Sequence, residues 1–360
     1  MSLSLLDKLT IVIYTYNRHK YLKRTINYWS NYNVKLLILD GSTTKFDDQC
    51  LKTKNIKYVY DATGLYKRLL SSINYIDTEF VILGSDDEFY LPSALSSCIE
   101  FLCNETSYSS CGGHNLGFYT KEKLILGTKQ YPFEDFCLDH DAASDRILNH
   151  FSNYMPAHFY SVMSFNKWKI ICSYVFGKKY YFSGAHELQV EFLCAISGKS
   201  KIIPELLWMR NKEVPSESYE ILKLPLGKWW LDKKYQYEKL SFLKRMKEAC
   251  DKLTFDQNFI LKEDAIIRSF EMLINKYKVK SKILIRIKTI LPDQIQEVLK
   301  FILSSWNNLQ YRILEWYKIK TNKYNTLLYE ANKLEEQGVS VNHKELNKII
   351  SSLNNFKNID

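Results

Sequence analysis

Three consecutive acids, Asp86, Asp87 and Glu88, follow the apolar run at residues 80–83 within the stretch FVILGSDDEFYLP. That run has the length and β-rich composition of a buried strand, so a dry element hands over directly to a highly charged turn. Neighbouring carboxylates repel one another and lose hydration at such a place, and are tolerated where they face water or a cation such as Mg2+ or Mn2+. Strand ends are also where ligands collect in open α/β sheets. These residue types point to a divalent-metal site beside a phosphorylated ligand. The plainer alternative is a solvated turn capping the helix that Pro92 and Ser93 begin.

The elements that must position these acids are legible on both sides. Residues 9–14 (LTIVIY) read as a buried strand entering the turn Thr15-Tyr16-Asn17-Arg18, after which Tyr21, Leu22, Thr25, Ile26 and Trp29 recur at helical spacing. Residues 34–39 (VKLLIL) form a second strand ending in Asp40-Gly41-Ser42-Thr43, and a short third is expected at 56–60. A turn at Gly64 and a helix over 65–75 carrying Lys67 and Arg68 complete the approach to the strand at 80–83. This alternation predicts an α/β fold with a mixed, mainly parallel sheet flanked by helices and built from right-handed crossovers. Such a topology gathers Tyr14 to Arg18, Asp40 to Ser42 and Asp86 to Glu88 along one sheet edge. A mononucleotide would find there an aromatic face, an acid for a base or ribose hydrogen bond, and carboxylates for a phosphate-bound cation. No Gly-x-Gly-x-x-Gly or Walker-type loop is present, so charge neutralisation falls to the metal.

The pattern resembles the family 2 inverting glycosyltransferases with the GT-A nucleotide-sugar-binding fold. Residues 11–18 resemble the family's opening strand and Thr/Ser-Tyr-Asn-Arg turn, and residues 39–42 its Asp-Asp-Gly-Ser turn. The spacing from Arg68 to Asp86-Asp87 fits the family, and Asp-Asp-x-x-Tyr-x-Pro runs from Asp86 to Pro92. The resemblance implies a nucleotide-sugar site drawn from Tyr14, Thr15, Tyr16, Asn17, Arg18, Asp40, Arg68 and Asp86. Within it Tyr16 would border the base, Asp40 would accept its hydrogen bond and Asp86 would touch the ribose. Asp87, with Asp86, would hold the Mn2+ or Mg2+ that bridges the diphosphate, and Arg68 would support the nucleotide or phosphate. Two positions depart from the family pattern: Gly84 and Leu39 stand where many members carry Asp.

A second block, residues 182–210, reads as a helix with the apolar face Leu188, Phe192, Leu193 and Ile196. Gly198 ends it, and a strand with Pro204 near a bend follows. His186 and Glu187 fall in its first turn, where the helix dipole favours an ionised acid suited to act as a general base. The block resembles the family's acceptor-side motif, which places Glu187 at the position of the catalytic Asp and His186 beside it. Glu187 is the expected base, with His186 and Glu191 as alternatives. Between the blocks, Asp139-His140-Asp141 reads as a loop or helix start rather than a metal motif. Arg146 and the aromatic stretch 154–160 are expected near an acceptor pocket, though core packing accounts for most of those rings.

The remaining chain bounds the function. It has 360 residues and 46% hydrophobic content, enough for a substantial core. Of the net charge of +10, residues 211–360 supply +8, with 27 Lys/Arg against 19 Asp/Glu. Eight cysteines without a Cys-x-x-Cys, and no zinc-like histidine spacing, suggest a reducing cytoplasm. No run reaches the ~20 apolar residues of a membrane span. Residues 1–214 are expected to form the catalytic domain and 215–360 a helical, basic extension. The run at 276–288 (KYKVKSKILIRIK) could rest on anionic lipid at the cytoplasmic face of the inner membrane, or be a solvated helix face. Nucleic-acid binding lacks any accompanying module, and an oligomer is possible.

The function implied is a metal-dependent inverting glycosyltransferase acting on a growing surface glycan, free or lipid-linked, such as a lipopolysaccharide or capsule. A sugar nucleotidylyltransferase is the enzymatic alternative, although the turn at 14–18 lacks its glycine-rich loop. A catalytically silent nucleotide-sugar or membrane-binding scaffold is the other alternative.

Overall fold

The computed structural model describes residues 4–121, 124–134, 136–213, 224–253, 266–275 and 325–357. The elements that build the site are β1 (Leu9–Thr15), α1 (His19–Trp29), β2 (Lys35–Asp40), β3 (Ile56–Tyr60), α2 (Leu65–Ser71) and β4 (Phe80–Ser85). They are followed by β5 (Phe89–Tyr90), α3 (Pro92–Asn104), β6 (Tyr108–Lys121), β7 (Leu124–Lys129), α4 (Ala143–Ser152), β8 (Val162–Ser164), α5 (Phe165–Val175), α6 (Ala185–Ser197) and β9 (Lys199–Asn211). Among the described residues, the nine strands join one sheet in the order β3-β2-β1-β4-β8-β6-β9-β5, with β7 paired to β6. The β3-β2-β1-β4 half is parallel; β8 then runs antiparallel to both β4 and β6, while β6 and β9 pair in parallel. The predicted mixed sheet flanked by helices is therefore present, with antiparallel pairs concentrated in its second half.

The unbroken apolar runs of β1 and β4 follow from burial on both faces. Ile11, Ile13, Phe80 and Ile82 enter one core with Leu22 and Ile26 of α1 and Leu95 and Ile99 of α3. Val12, Val81 and Leu83 enter the other, against Trp168 of α5 and Phe192 of α6. A strand covered on both sides has no polar face to alternate with. Helices beyond residue 224 belong to the same layers: Trp229, Trp230, Phe242 and Phe270 pack in the core with α5 and α6. On the opposite face, Leu327, Leu346 and Ile349, from the helices Leu327–Glu336 and His343–Lys357, join the core with α1 and α3. The expected domain boundary at 214/215 and the basic run at 276–288 lie outside the described residues. Among those described, no helix is long and apolar enough to cross a membrane.

Strand and helix bounds shift only slightly from expectation. The helix expected over 65–75 is α2 plus a 3-10 turn at Ser72–Asn74. β6 is 14 residues long, and its pairing with β9 carries register shifts around His114.

Candidate active site

Adjacent parallel strands β1, β2 and β4 end in register, which brings the predicted turns to one edge. Arg68 fastens this edge from beneath. From α2 its buried guanidinium donates to the Thr15 carbonyl at 2.9 Å and the Leu39 carbonyl at 3.0 Å. A Cβ on Gly41 would lie 2.2 Å from the guanidinium carbon, so glycine is required for the loop to pass over it. Asn17, with φ of 53°, accepts at its side chain from the Thr43 amide at 2.9 Å and donates its own amide N–H to the Ser42 hydroxyl oxygen at 2.7 Å. The β1 and β2 turns are thereby locked together.

Asp40 is fully buried, and its oxygens accept from the Ser42 amide at 2.8 Å and the Tyr58 hydroxyl at 2.6 Å. Tyr16 is 42% exposed at the mouth of this edge.

The acidic turn is clamped by α1. Thr25 donates to the Asp86 carbonyl at 2.7 Å and Arg24 to the Asp87 carbonyl at 3.0 Å. Thr15 donates to the Asp86 carboxylate at 2.6 Å, and Arg18 pairs with both Asp86 and Asp87. Ser85 donates to Asp87 at 2.6 Å, and Asn211 of β9 approaches it at 3.3 Å. Glu88 accepts from the Trp208 indole at 2.9 Å and faces Arg210 at 3.8 Å. Burial, opposed by Arg18, pushes Asp86 up to about 7; burial and the Asp87 charge push Glu88 up to about 8. Burial thus disfavours the charged forms of Asp86 and Glu88, a cost that a nearby cation would relieve. The turn's donor atoms are carboxylate oxygens, the kind a hard divalent cation prefers, so Asp87 and Asp86 fit a Mg2+ or Mn2+ role.

Gly84 explains one departure from the family pattern. A Cβ there would meet Ile11 Cγ2 at 3.3 Å and Tyr90 Cε2 at 3.4 Å, so this position faces packed side chains and a carboxylate on it would be buried among them.

Glu187 lies in the first turn of α6 and accepts from the Tyr154 hydroxyl at 2.8 Å. Burial raises its pKa, Tyr154 partly offsets this, and Glu191 adds to it. Burial therefore opposes the effect of the helix dipole on Glu187. Arg210, 3.8 Å from Glu88, offsets by its charge part of the rise that burial imposes on both Glu88 and Glu187. Tyr131 accepts from Arg210 at 2.7 Å, and burial raises its pKa against the opposing charge of Arg210. A cleft of about 250 Å³ lined by Tyr131, Arg210 and Lys212 opens beside them. Tyr160, stacked on Trp208 with centroids 4.4 Å apart and hydrogen-bonded to Tyr14, walls the same region.

The other two base alternatives face elsewhere. His186 is buried, stacked on Tyr66 at 3.6 Å and bonded to the Lys178 carbonyl at 2.7 Å; burial drives its pKa down to about 4. Glu191 is fully buried and accepts from the amides of Ala157, His158 and Phe159 and from the rings of His150 and His158. Burial opposes its ionisation, but His158 and His150 prevail and hold it at about 2. These three side chains have metal-ligand types within 4.8 Å, yet Glu191 already has five donors, which makes the cluster a clasp for the 157–159 segment.

Arg146 does not reach the pocket. It donates to the Ala195 and Ile196 carbonyls at the end of α6 and to those of His140 and Asp141. The loop containing Asp139 and Asp141 is exposed ahead of α4, with Asp141 paired to Lys199. Sequence reasoning missed Arg24, Asn211 and Trp208. Arg24 alone left a signal, as a cation beside the apolar positions of α1.

Comparison with known proteins agrees with this geometry. Residues 10–154 match the family model described as glycosyl transferase family 2. That segment, about two fifths of the chain, is similar to family 2 glycosyltransferase domains. Among solved structures, S. aureus TarS 1–349 is 13% identical, covering 74% of this chain and 89% of its own, with a TM-score of 0.44. S. aureus TarS 1–349 in complex with UDP-GlcNAc is 14% identical over the same shares, also at 0.44. S. aureus TarS is 14% identical over 69% of this chain and 44% of that one, at 0.42. No curated protein matches.

Proposed function

We propose that this chain is a divalent-metal-dependent, inverting glycosyltransferase that moves a sugar from a nucleotide-sugar donor to a hydroxyl of a growing surface glycan. What supports this reading is that Arg210, 3.8 Å from Glu88, also acts by its charge on Glu187. Asp87, helped by Asp86, would hold Mn2+ or Mg2+; the cation would neutralise charge on the departing nucleoside diphosphate. The locked turns of β1 and β2 would seat the nucleoside, with Tyr16 at its edge.

Glu187 takes the proton of the acceptor hydroxyl on a carboxylate oxygen while Tyr154 fixes the carboxylate's direction. The acceptor oxygen bonds to the anomeric carbon, the bond from that carbon to the phosphate oxygen breaks, and its electron pair leaves with the nucleoside diphosphate. One displacement of this kind inverts the anomeric centre without an enzyme-bound sugar. Eight free cysteines support a cytoplasmic location, and peripheral contact with anionic membrane completes the reading.

The test is a panel of nucleotide sugars assayed for hydrolysis and transfer with and without Mn2+, using native protein, Asp87→Ala and Glu187→Ala. Asp87→Ala is expected to lose metal-dependent turnover and donor affinity, and Glu187→Ala to keep donor binding while losing transfer. Undiminished transfer by both variants refutes these roles, and binding without turnover in every case indicates a scaffold.

A further inference from the structure

Among the described large apolar side chains, the three most exposed fall at one place: Tyr237 at 89%, Tyr181 at 75% and Leu231 at 60%. They come from the helix Gln236–Leu253, the segment leading into α6 and the end of the helix Leu226–Leu231. Apolar residues scattered singly over a surface need no explanation, whereas a cluster of them does.

The inner sides of these elements hold the outer ones in place. Trp229, Trp230 and Phe242 are buried, and Tyr180 packs on Phe242 and on His186 of α6, with centroids 5.6 and 5.3 Å apart. Tyr181, the next residue, therefore points away from the core. Its ring lies 5.8 Å from that of Tyr235, and its amide donates to Glu238 at 2.8 Å, which joins the three pieces into one surface. Leu240, 51% exposed and three residues after Tyr237, shares the outer face of its helix.

Lysines surround these side chains. Lys228 stands three residues before Leu231, Lys233 and Lys234 lie in the 3-10 turn between the two helices, and Lys179 precedes Tyr181 by two residues. All four are exposed, and none makes an ion pair among the described residues. Lys239 and Lys244 are not counted with them, since they face the Trp230 ring at 4.4 Å and Glu248 at 4.0 Å. The two acids within the surface are turned to neutral donors: Asp232 to the Lys234 amide at 2.9 Å, and Glu238 to the Tyr181 amide and the Trp229 indole. Four cations against two acids leave a positive surplus.

Projecting tyrosine and leucine ringed by lysine match the boundary of a bilayer with anionic headgroups. Aromatic rings settle at headgroup level, leucine reaches the acyl boundary and lysine meets lipid phosphate. Protein interfaces are depleted in lysine, and a second copy meeting the same face would set like charges together.

We propose that the protein rests on an anionic membrane through this surface, with Tyr181, Leu231, Tyr237 and Leu240 entering the headgroup region and the surrounding lysines meeting lipid phosphate. Tyr181 is six residues ahead of Glu187, so the membrane would lie toward the end of α6 that carries the expected base. The lipid contact stands on the surface's own residues, whereas its use by a lipid-linked acceptor rests on the transferase reading.

The experiment is flotation of the full chain with phosphatidylcholine vesicles, with and without phosphatidylglycerol, at low and high salt. Binding is expected only where phosphatidylglycerol is present, and to fall as salt is added. Tyr237→Ser/Leu240→Ser and Lys233→Glu/Lys234→Glu should each weaken it by about tenfold or more without lowering the melting temperature, and Lys233→Arg/Lys234→Arg should retain it. Absence of vesicle binding, or binding that either the serine or the glutamate pair leaves unchanged, overturns the proposal. A single-stranded oligonucleotide or polygalacturonate that binds more tightly than the vesicles, with the same dependence on the two lysines, overturns it in favour of that ligand. Self-association in sedimentation that the serine pair abolishes, without vesicle binding, overturns it in favour of a second copy. Nucleotide-sugar hydrolysis with Mn2+ is measured on the same preparations. Its absence in the native protein refutes the transferase reading, while flotation still decides the surface.

Discussion

Two glutamates one helical turn apart on α6 separate structure from chemistry, and replacing each by glutamine tests the division. Glu191→Gln keeps the shape but removes the charge at a fully buried carboxylate that accepts five hydrogen bonds. One oxygen can still serve the amides of His158 and Phe159, whereas the new amide nitrogen faces the Ala157 amide and two imidazoles. Breaking a buried, hydrogen-bonded charge network costs about 3–5 kcal/mol. With an unfolding entropy of about 2.1 cal/mol/K per residue, a chain of this length should melt roughly 4–7 °C lower.

The native Glu191, with its pKa depressed to about 2, contributes stability that is complete above the unfolded pKa of about 4.3 and is lost as pH falls through 2. Glu191→Gln should flatten that acid limb. Glu187→Gln, by contrast, retains an acceptor for Tyr154 and should melt close to native, yet lose about 10²–10⁴ in transfer rate, or ~3–5 kcal/mol of barrier. Differential scanning fluorimetry from pH 2 to 8 and a coupled nucleotide-release assay measure both. A Glu191→Gln protein that melts like native but cannot transfer, beside a Glu187→Gln protein that transfers normally, would refute the assignment.

Because burial raises Glu187, the acid limb of kcat/KM should lie above the range of a free glutamate, with activity increasing as pH rises through it; a pH–rate profile checks this. Gly84→Asp would force a carboxylate against Ile11 and Tyr90, costing about 3–5 kcal/mol in a denaturant titration. Arg24→Met leaves the Asp87 carbonyl without its donor, at about 1–3 kcal/mol, and should weaken Mn2+ activation, as a metal titration of turnover would show.

The parallel half of the sheet was legible because β1, β2 and β4 are apolar over their whole length and stop at polar turns. The edge bringing Arg18, Asp40 and Asp86 together followed from that topology alone. The partners of those residues were less accessible to sequence. Arg68 reads as a surface or phosphate-binding cation, yet its guanidinium is spent on two carbonyls, a contact that depends on how far α2 sits below the strands.

His186 and Glu187 are neighbours whose directions differ by about 100° around a helix, so spacing could not decide which one meets the core. Trp208, Arg210 and Asn211 reach the acidic turn only because β9 crosses beside β5, a pairing more than 100 residues distant in the chain. The second face of each C-terminal helix was equally hidden, since a lysine-rich amphipathic segment looks the same whether its apolar stripe meets a sheet or a bilayer.

The arginine beneath Gly41 has a practical bearing on redesign. A loop that rests on a side chain leaves no space for diversity at its centre, so libraries seeking a new donor should keep Gly41 and Arg68 constant. Variation belongs at Tyr16, which is 42% exposed at the mouth of the edge.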